Sequence, residues 1–499
     1  MLLKLRNINV FNTTSSLKVF FLYTFLSLFL SINIFAQEIA VKIKVISKNR
    51  ISVEGNFKTE SEALTKLSFL QNYADVTNLA NRIENLQTFD NKGDVIEVKK
   101  INSGEYLANK KPIGWKYEVK LAPSDKLTDS AHSSWLTENR GLLMLSDLLP
   151  RFEKSTFAQV KFELPMEWKI ATAETLINQN FSVKDIQNAV FLIGNNFRER
   201  TIQIDKTAIN FVLADNWQFT DDEALAMTDS ILSEHKSVFK EFPTTKIQII
   251  LSLFPQENSN PERWRAETRG STVTIISGAI PFKSQAIQRL HEQLRHELFH
   301  LWIPNGLNLS GNYDWFYEGF AIYQALRTGV ELNQIRFDDF LNTLSRAYQM
   351  EQMMSKTNGF SLLESSEKRW AGADNFIYAK GLAIAFMCDA AMLREKHNLK
   401  DVFRQIWNKH RFPNQIQDGN SAIVRILNSF PELRPIVQNF IEGKEKIDWK
   451  NELNSVGIEQ EQTDFGIQLK VMANPNGRQK DLLDKLGYNQ WRKFGQKKK

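Results

Sequence analysis

Two short stretches of the chain constrain its fold more than any others. Residues 296–300 are His-Glu-Leu-Phe-His, and Glu318 follows within Trp-Phe-Tyr-Glu-Gly-Phe. Residues 290–302 contain no Gly or Pro and have leucines at 290, 294, 298 and 301, a pattern that predicts an amphipathic helix. Positions i and i+4 of a helix share a face, so His296 and His300 can hold one metal ion. The fold must carry this helix and bring Glu318 to it.

The chemistry of these residues predicts a catalytic zinc site. Zinc held by two histidines needs a third protein ligand and an open position for water. Glu318 supplies that ligand, so one zinc ion per chain is expected on His296, His300 and Glu318. Glu297 can take a proton from a water activated by the metal without binding the ion. The alternative is a chance match on a solvated helix, but the chain has only seven histidines, three of them within residues 291–300.

The surroundings of Glu318 add a further expectation. Taken alone, this residue could be an ordinary surface glutamate. It stands, however, among Trp315, Phe316, Tyr317 and Phe320. A carboxylate embedded in aromatic residues is not fully solvated, so a cationic partner is predicted for it.

The N-terminus carries an export signal. Lys4, Arg6 and Lys18 precede an apolar run over residues 19–30, which predicts a secretory signal peptide spanning residues 1–36 and cleaved after Ala36. The alternative is a retained membrane anchor, but the run is short and interrupted by polar residues. A periplasmic or secreted location is therefore expected, with no stable membrane span after cleavage. Cys388 is the only cysteine, so an intrachain disulfide is excluded.

The net charge of +6 is concentrated at the two ends of the chain. The leader contributes +3 and residues 478–499 contribute +6, which leaves residues 37–477 at −3. A body of this charge offers no basic face, so no nucleic-acid partner is expected. The basic end of the tail is interpreted as a solvated terminus. The sequence makes no prediction about oligomeric state.

Patterns along the chain predict an α+β multidomain protein. Residues 37–205 alternate apolar and polar residues in short stretches, typical of a β-sandwich-like domain, with residues 91–111 predicted as turns. From residue 206 the order is strand, helix, strand, strand and the metal helix, which is an α+β arrangement. Residues 326–450 carry helical periodicity, and residues 451–499 form a mixed tail.

The two motifs also resemble a known family. His-Glu-Leu-Phe-His-Leu-Trp from His296 and Trp-Phe-Tyr-Glu-Gly-Phe from Trp315 are similar to motifs of the gluzincin metallopeptidases, most of all the glycyl aminopeptidases. The resemblance implies a thermolysin-like catalytic domain over residues 206–325, after the β-rich domain and before the helical one. It is strongest from about residue 264 to residue 410.

Two more segments extend the resemblance. Ile377-Tyr-Ala-Lys-Gly381 resembles a Tyr-x-Lys-Gly motif whose tyrosine stabilises the oxyanion, which implies that role for Tyr378. The alternative is a core tyrosine. Ala266-Glu-Thr-Arg-Gly-Ser-Thr272 resembles an edge strand whose glutamate binds the substrate amine, which implies substrate binding by Glu267. The alternative is a surface glutamate. Trp264 and Arg265 stand where the family has two glycines.

The predicted function is zinc-dependent hydrolysis of a peptide or protein substrate, with removal of N-terminal residues. Glu297 and Tyr378 are the predicted catalytic residues, and Glu267 the predicted substrate-binding residue. One alternative is an endopeptidase on the same scaffold. The other is an exported, non-catalytic peptide-binding protein, a class that usually loses the base or a ligand.

Overall fold

The structure is a computed structural model. It describes residues 37–59, 63–152, 156–256, 260, 263–355, 359–369, 372–464, 466–490 and 492. The predicted leader, residues 1–36, lies outside the described residues, so its cleavage and the exported location stay predictions.

The N-terminal region is built from two large sheets and one small one. The larger sheet has eight strands, in the spatial order Thr175–Ile177, Asn180–Val183, Thr156–Glu163, Gln37–Ser47, Arg50–Phe57, Gly114–Lys120, Ile83–Phe89 and Val95–Ile96. The second sheet has four strands, in the order Lys169–Thr172, Val190–Gly194, Arg140–Met144 and Trp135–Leu136. The small sheet contains Lys66–Ser68, Glu105–Ala108 and Val98–Asn102.

The alternation of buried and more exposed side chains explains how the larger sheet packs. Along Gln37–Ser47, Ile39, Val41 and Ile43 are buried while the intervening side chains are more exposed. In a strand, successive side chains point to opposite faces, so this pattern directs one face into a core. That core also holds Phe191 and Ile193 from the four-stranded sheet. The predicted β-rich N-terminal domain is confirmed, and its two sheets enclose one core.

The four-stranded sheet is buried on both faces. Leu143 packs into the core shared with the larger sheet, whereas Leu142 packs with Val212 and Ile250 of the next domain. A strand buried on both sides has no apolar–polar alternation, so Arg140–Met144 and Val190–Gly194 are not predicted from sequence. The prediction of turns over residues 91–111 is wrong in part, since the hairpin Val98–Asn102 to Glu105–Ala108 lies there.

A five-stranded sheet carries the candidate site. Its order is Phe197–Ile204, Thr207–Ala214, Lys246–Leu253, Thr272–Ser277 and Trp264–Arg269, and the three inner strands are parallel. The predicted boundary at residue 205 places Phe197–Ile204 in the N-terminal region, yet this strand pairs with Thr207–Ala214 along its whole length. Trp264–Arg269 is an edge strand that pairs only with Thr272–Ser277 among the described residues.

Two helices pack on this sheet. Asp221–Phe239 begins after the N-cap Thr220, whose side chain accepts a hydrogen bond from the backbone N–H of Glu223. The helix ends at Phe239, because the next residue, Lys240, takes a left-handed conformation at φ 72°. Lys283–Glu297 is the second helix and lies beside the edge strand.

The remaining chain is mainly helical, as predicted. The helices are Asp314–Tyr317, Gly319–Glu331, Phe337–Met354, Leu362–Ser366, Asp374–Arg394, Leu399–His410, Gly419–Leu427, Arg434–Ile436 and Lys450–Ser455. After residue 455 the chain adds a hairpin, Ile458–Thr463 to Gly466–Val471, and the helix Gly477–Lys485. These elements share one core with the five-stranded sheet.

One helix among the described residues, Asp374–Arg394, is long and apolar enough to cross a membrane. Within its most apolar window, 94% of the residues are buried inside the protein. It is apolar all round because other helices surround it, which is typical of a core helix.

Candidate metal centre

The two histidines converge at the end of a helix. The α-helix Lys283–Glu297 stops one residue after His296, and His300 lies in the tighter turn Phe299–Leu301. The predicted continuous helix through both histidines is therefore wrong at its end, because the last turn changes to i→i+3 hydrogen bonding. The Nε2 atoms of His296 and His300 still lie 3.1 Å apart, so the two rings present one pair of nitrogens.

A backbone contact sets the protonation of His300. Its Nδ1 lies 2.9 Å from the carbonyl oxygen of Ile303, to which it can only donate. In the neutral ring the proton is then on Nδ1, and Nε2 keeps its lone pair for a metal. Orientation of a ligand histidine through its other nitrogen is a common feature of metal sites.

Glu318 completes a group of three donors. It lies between the helices Asp314–Tyr317 and Gly319–Glu331, and its Oε2 is 3.4 Å from Nε2 of His296 and 3.7 Å from Nε2 of His300. In a tetrahedral zinc site with bonds of about 2.0–2.1 Å, neighbouring ligand atoms are roughly 3.3 Å apart. The observed separations match that value, and the three residues fit a zinc ion.

The charges of the site favour ionised Glu318. Burial alone would raise the pKa of this carboxyl, but His296, His300 and Arg369 hold its pKa well below the ordinary value. Burial would lower the pKa of His300, yet the facing carboxylate of Glu318 raises it overall. Without metal, the group is a carboxylate facing imidazoles, a donor set that suits a divalent cation.

Glu297 lies beside the three donors but contributes none of their atoms. Its side chain is 4% exposed, and its Oε2 lies 2.9 Å from the hydroxyl of Thr268 on the edge strand. Burial raises the pKa of Glu297. A carboxylate in this position, with a raised pKa, is suited to accept a proton. Thr268 was not identified from sequence.

Two glycines bring Tyr378 to the site. A Cβ on Gly319 would lie 2.5 Å from Cα of Gly381, so the helices Gly319–Glu331 and Asp374–Arg394 approach more closely than larger residues would allow. Glu318 precedes the first glycine and Tyr378 lies one helical turn before the second. Burial, followed by the charge of Glu318, raises the pKa of Tyr378 well above its ordinary value, so its phenol remains protonated.

Arg369 connects these residues and was not identified from sequence. Its Nη1 is 3.0 Å from Oε1 of Glu318, and its Nη2 donates to the hydroxyl of Tyr378 at 2.8 Å. Asp314 and Asp374 take further contacts at 2.8 and 3.1 Å. The prediction that Glu318 has a cationic partner is thus confirmed. The sequence did not identify this partner as Arg369, because the segment around Arg369 has no recognisable motif.

Glu267 lies on the same edge strand, one residue before Thr268, and its charge is already paired. Its Oε2 lies 3.1 Å from Nδ1 of His132 and 3.1 Å from Nε of Arg269. Its Oε1 accepts from the hydroxyl of Tyr73. Burial would raise the pKa of Glu267, but Arg269, His132 and Tyr73 lower it to about 2. The network joins the N-terminal domain to the edge strand.

Comparison with known proteins gives one family match and several similar structures. Residues 38–190 match the family model described as the peptidase M61 N-terminal domain. An aminopeptidase N family protein from Idiomarina loihiensis has a similar structure, with a TM-score of 0.72 and 17% identity over 85% of this chain and 79% of that one.

An M1 zinc metallopeptidase from Deinococcus radiodurans is also similar, with a TM-score of 0.51 and 12% identity over 83% and 95% of the two chains. A glutamate-to-alanine mutant of that enzyme, bound to the substrate Tyr-Ser-Ala, matches with a TM-score of 0.52 and 12% identity over 83% and 95% of the chains. No curated protein matches the chain.

These findings identify the fold. The chain has the multidomain α+β fold of the M1 zinc metallopeptidases, with a β-rich domain first and a helical region last. The fold and the M61 match together support a gluzincin-type metallopeptidase, the class in which two histidines and a glutamate hold zinc.

Proposed function

We propose that the protein is a zinc-dependent peptidase that removes N-terminal residues from peptides. The observation that carries the proposal is the spacing of three donor atoms from His296, His300 and Glu318 at 3.1 to 3.7 Å. A buried carboxylate, Glu297, stands next to them. Binding alone would need no such base, so this combination supports hydrolysis over a non-catalytic role.

Each residue of the site has a separate role in the proposed hydrolysis. A zinc ion held by His296, His300 and Glu318 would supply a Lewis acid that activates water and polarises the scissile carbonyl. Glu297 accepts the proton of the attacking water and returns a proton to the leaving amine. Tyr378, whose phenol remains protonated, donates a hydrogen bond to the developing oxyanion. Thr268 orients Glu297 through its hydroxyl.

The proposal that the enzyme removes residues from the N-terminus of its substrate depends on Glu267. An ammonium group in a buried cleft needs a carboxylate partner. Oε2 of Glu267 is occupied by His132 and Arg269. Among the described residues Oε1 has one donor, Tyr73, whereas an oxygen of a carboxylate can take two. The side chain is 13% exposed. One acceptor position is therefore left for the substrate amine.

A second candidate function has an observation in its favour. Arg269 already neutralises Glu267, so a substrate amine would gain less from this carboxylate than from a free one. An endopeptidase on the same scaffold needs no amine site. The network of Glu267, Arg269, His132 and Tyr73 would then serve only to hold the N-terminal domain against the edge strand.

Blocking the substrate amine separates the two functions. We expect N-acetylation of a peptide to lower kcat/KM by about tenfold or more, because an acetylated nitrogen cannot make the charged contact with Glu267, a loss of about 1.4 kcal/mol or more. The Glu267→Gln variant should cleave free and acetylated peptides at similar rates. The measurement is hydrolysis of matched peptide pairs, with zinc content determined for each preparation. Equal cleavage of both forms by the wild type would show an endopeptidase.

A further inference from the structure

We propose that Arg369 is the positioning residue that aligns Glu318 and Tyr378 for the reaction, an inference that rests on the proposed peptidase function. Its guanidinium is the group that contacts both the third ligand and the predicted oxyanion donor. Its side chain is 10% exposed, so these contacts lie largely out of water. Neither the motifs around the zinc ligands nor the resemblance of the sequence identifies this residue.

Arg369 contacts four partners among the residues that the structure describes. Nη1 reaches Asp314 at 2.8 Å and Glu318 at 3.0 Å, Nη2 reaches Tyr378 at 2.8 Å, and Nε reaches Asp374 at 3.1 Å. A guanidinium is planar and its N–H groups have fixed directions. Partners held by different nitrogens of one such group therefore have fixed positions relative to each other.

The contact with Glu318 selects which oxygen faces the metal site. Arg369 engages Oε1, while Oε2 is the atom that lies 3.4 and 3.7 Å from the two imidazole nitrogens. With Oε1 bound, rotation of the carboxylate that would take Oε2 away from the histidines breaks a charged hydrogen bond. Arg369 thus prepares Glu318 as a ligand through one oxygen.

The contact with Tyr378 sets the direction of its hydroxyl. An arginine only donates, so the phenol oxygen must be the acceptor in this hydrogen bond. The hydrogen of the phenol therefore points away from Arg369, and its acceptor is the carboxylate of Glu318 on the side of the metal site. In this arrangement Tyr378 is a donor toward the place where the oxyanion forms.

Charge gives the second reason for an arginine. Asp314, Glu318 and Asp374 are three carboxyl groups around one cation. Burial raises the pKa of Asp314 and Asp374 while the charge of Arg369 opposes the shift. Without the guanidinium, mutual repulsion among the carboxylates would push Glu318 away from Asp314 and Asp374 and so out of its position at the metal site. A lysine keeps the charge but has one nitrogen for four partners.

The test compares Arg369→Gln and Arg369→Lys with a matched control, Arg327→Gln. Arg327 is also a buried arginine of the helical region, with Asp389 at 3.4 Å and the carbonyl of Lys485 at 2.8 Å. It lines a separate cavity of about 300 Å³ that includes Tyr323 and Asp389 but none of the zinc-site residues. Zinc affinity is measured by competition with a chelator, kcat and KM with a peptide, and stability by thermal unfolding.

We expect Arg369→Gln to weaken zinc binding by about 10–100-fold and to lower kcat by a similar factor, with KM close to wild type. Arg369→Lys should recover part of the zinc affinity and little of kcat, since charge returns without the fixed geometry. Arg327→Gln should lower stability and leave zinc affinity and kcat unchanged.

Unchanged zinc affinity and kcat in Arg369→Gln would overturn the inference. The inference would also fail if Arg369→Gln and Arg327→Gln, at equal thermal stability, lost zinc affinity and kcat to the same extent. Wild-type protein that binds zinc but cleaves no peptide contradicts the proposed function alone, because the zinc affinities of the variants still test the alignment of Glu318. Wild-type protein that binds no zinc overturns both.

Discussion

The Glu297→Gln variant should bind zinc as the wild type does and lose peptide hydrolysis by a factor of about 10³ or more. Glutamine has nearly the same shape but cannot accept the proton of the attacking water at neutral pH. Glu297 supplies no atom to the group formed by His296, His300 and Glu318, so metal binding should survive. Zinc content and kcat/KM measured on the same preparation test both parts of this expectation.

A control for this variant lies on the same helix. Glu292 is 56% exposed and pairs only with Arg289 among the contacts of its carboxylate in the described residues. Glu292→Gln should leave activity near wild type, because an exposed ion pair contributes little. Wild-type turnover in Glu297→Gln would show that Glu297 is not the general base of the reaction.

The Tyr378→Phe variant should lose about 10²–10³-fold in kcat with little change in KM. Its hydroxyl is expected to act on charge that develops only in the transition state, so substrate binding should not need it. The phenylalanine ring keeps the packing of the helix Asp374–Arg394, and zinc binding should be close to wild type. Steady-state kinetics with one peptide separate kcat from KM.

Tyr348→Phe is the matched control. Tyr348 is a buried phenol on the helix Phe337–Met354 whose ring stacks on Trp449, and its hydroxyl contacts only the backbone carbonyl of Ile447 among the described residues. Its loss should affect stability more than kcat. A Tyr378→Phe variant with unchanged kcat, or with a change confined to KM, would exclude the oxyanion role.

Local patterns predicted the zinc ligands because their geometry follows from helix periodicity. His296 and His300 are four residues apart, and even a tightened last turn keeps their nitrogens 3.1 Å apart. Glu318 was predicted from the need for a third ligand, and its aromatic neighbours predicted a cation. The identity of that cation could not be predicted, because Arg369 lies 51 residues after Glu318 in the sequence and reaches it through tertiary packing.

The contacts of Glu267 and part of the fold could not be predicted from local sequence patterns for the same reason. Tyr73 and His132 contact Glu267 although they are 194 and 135 residues away from it in the sequence, and neither belongs to a recognisable motif. The strands Arg140–Met144 and Val190–Gly194 are buried on both faces, so their side chains lack the alternation that marks a half-exposed strand. Contacts between distant segments decide these features, and local residue patterns carry little information about them.

The most direct measurement of the central claim is zinc titration of chelator-treated protein, with hydrolysis followed at each addition. The three donors define one site, so hydrolysis should be absent without metal and should reach its maximum at one zinc ion per chain. His300→Ala should not recover at that stoichiometry, because it removes one of the three ligand atoms. Full hydrolysis by protein shown to contain no metal would contradict the account.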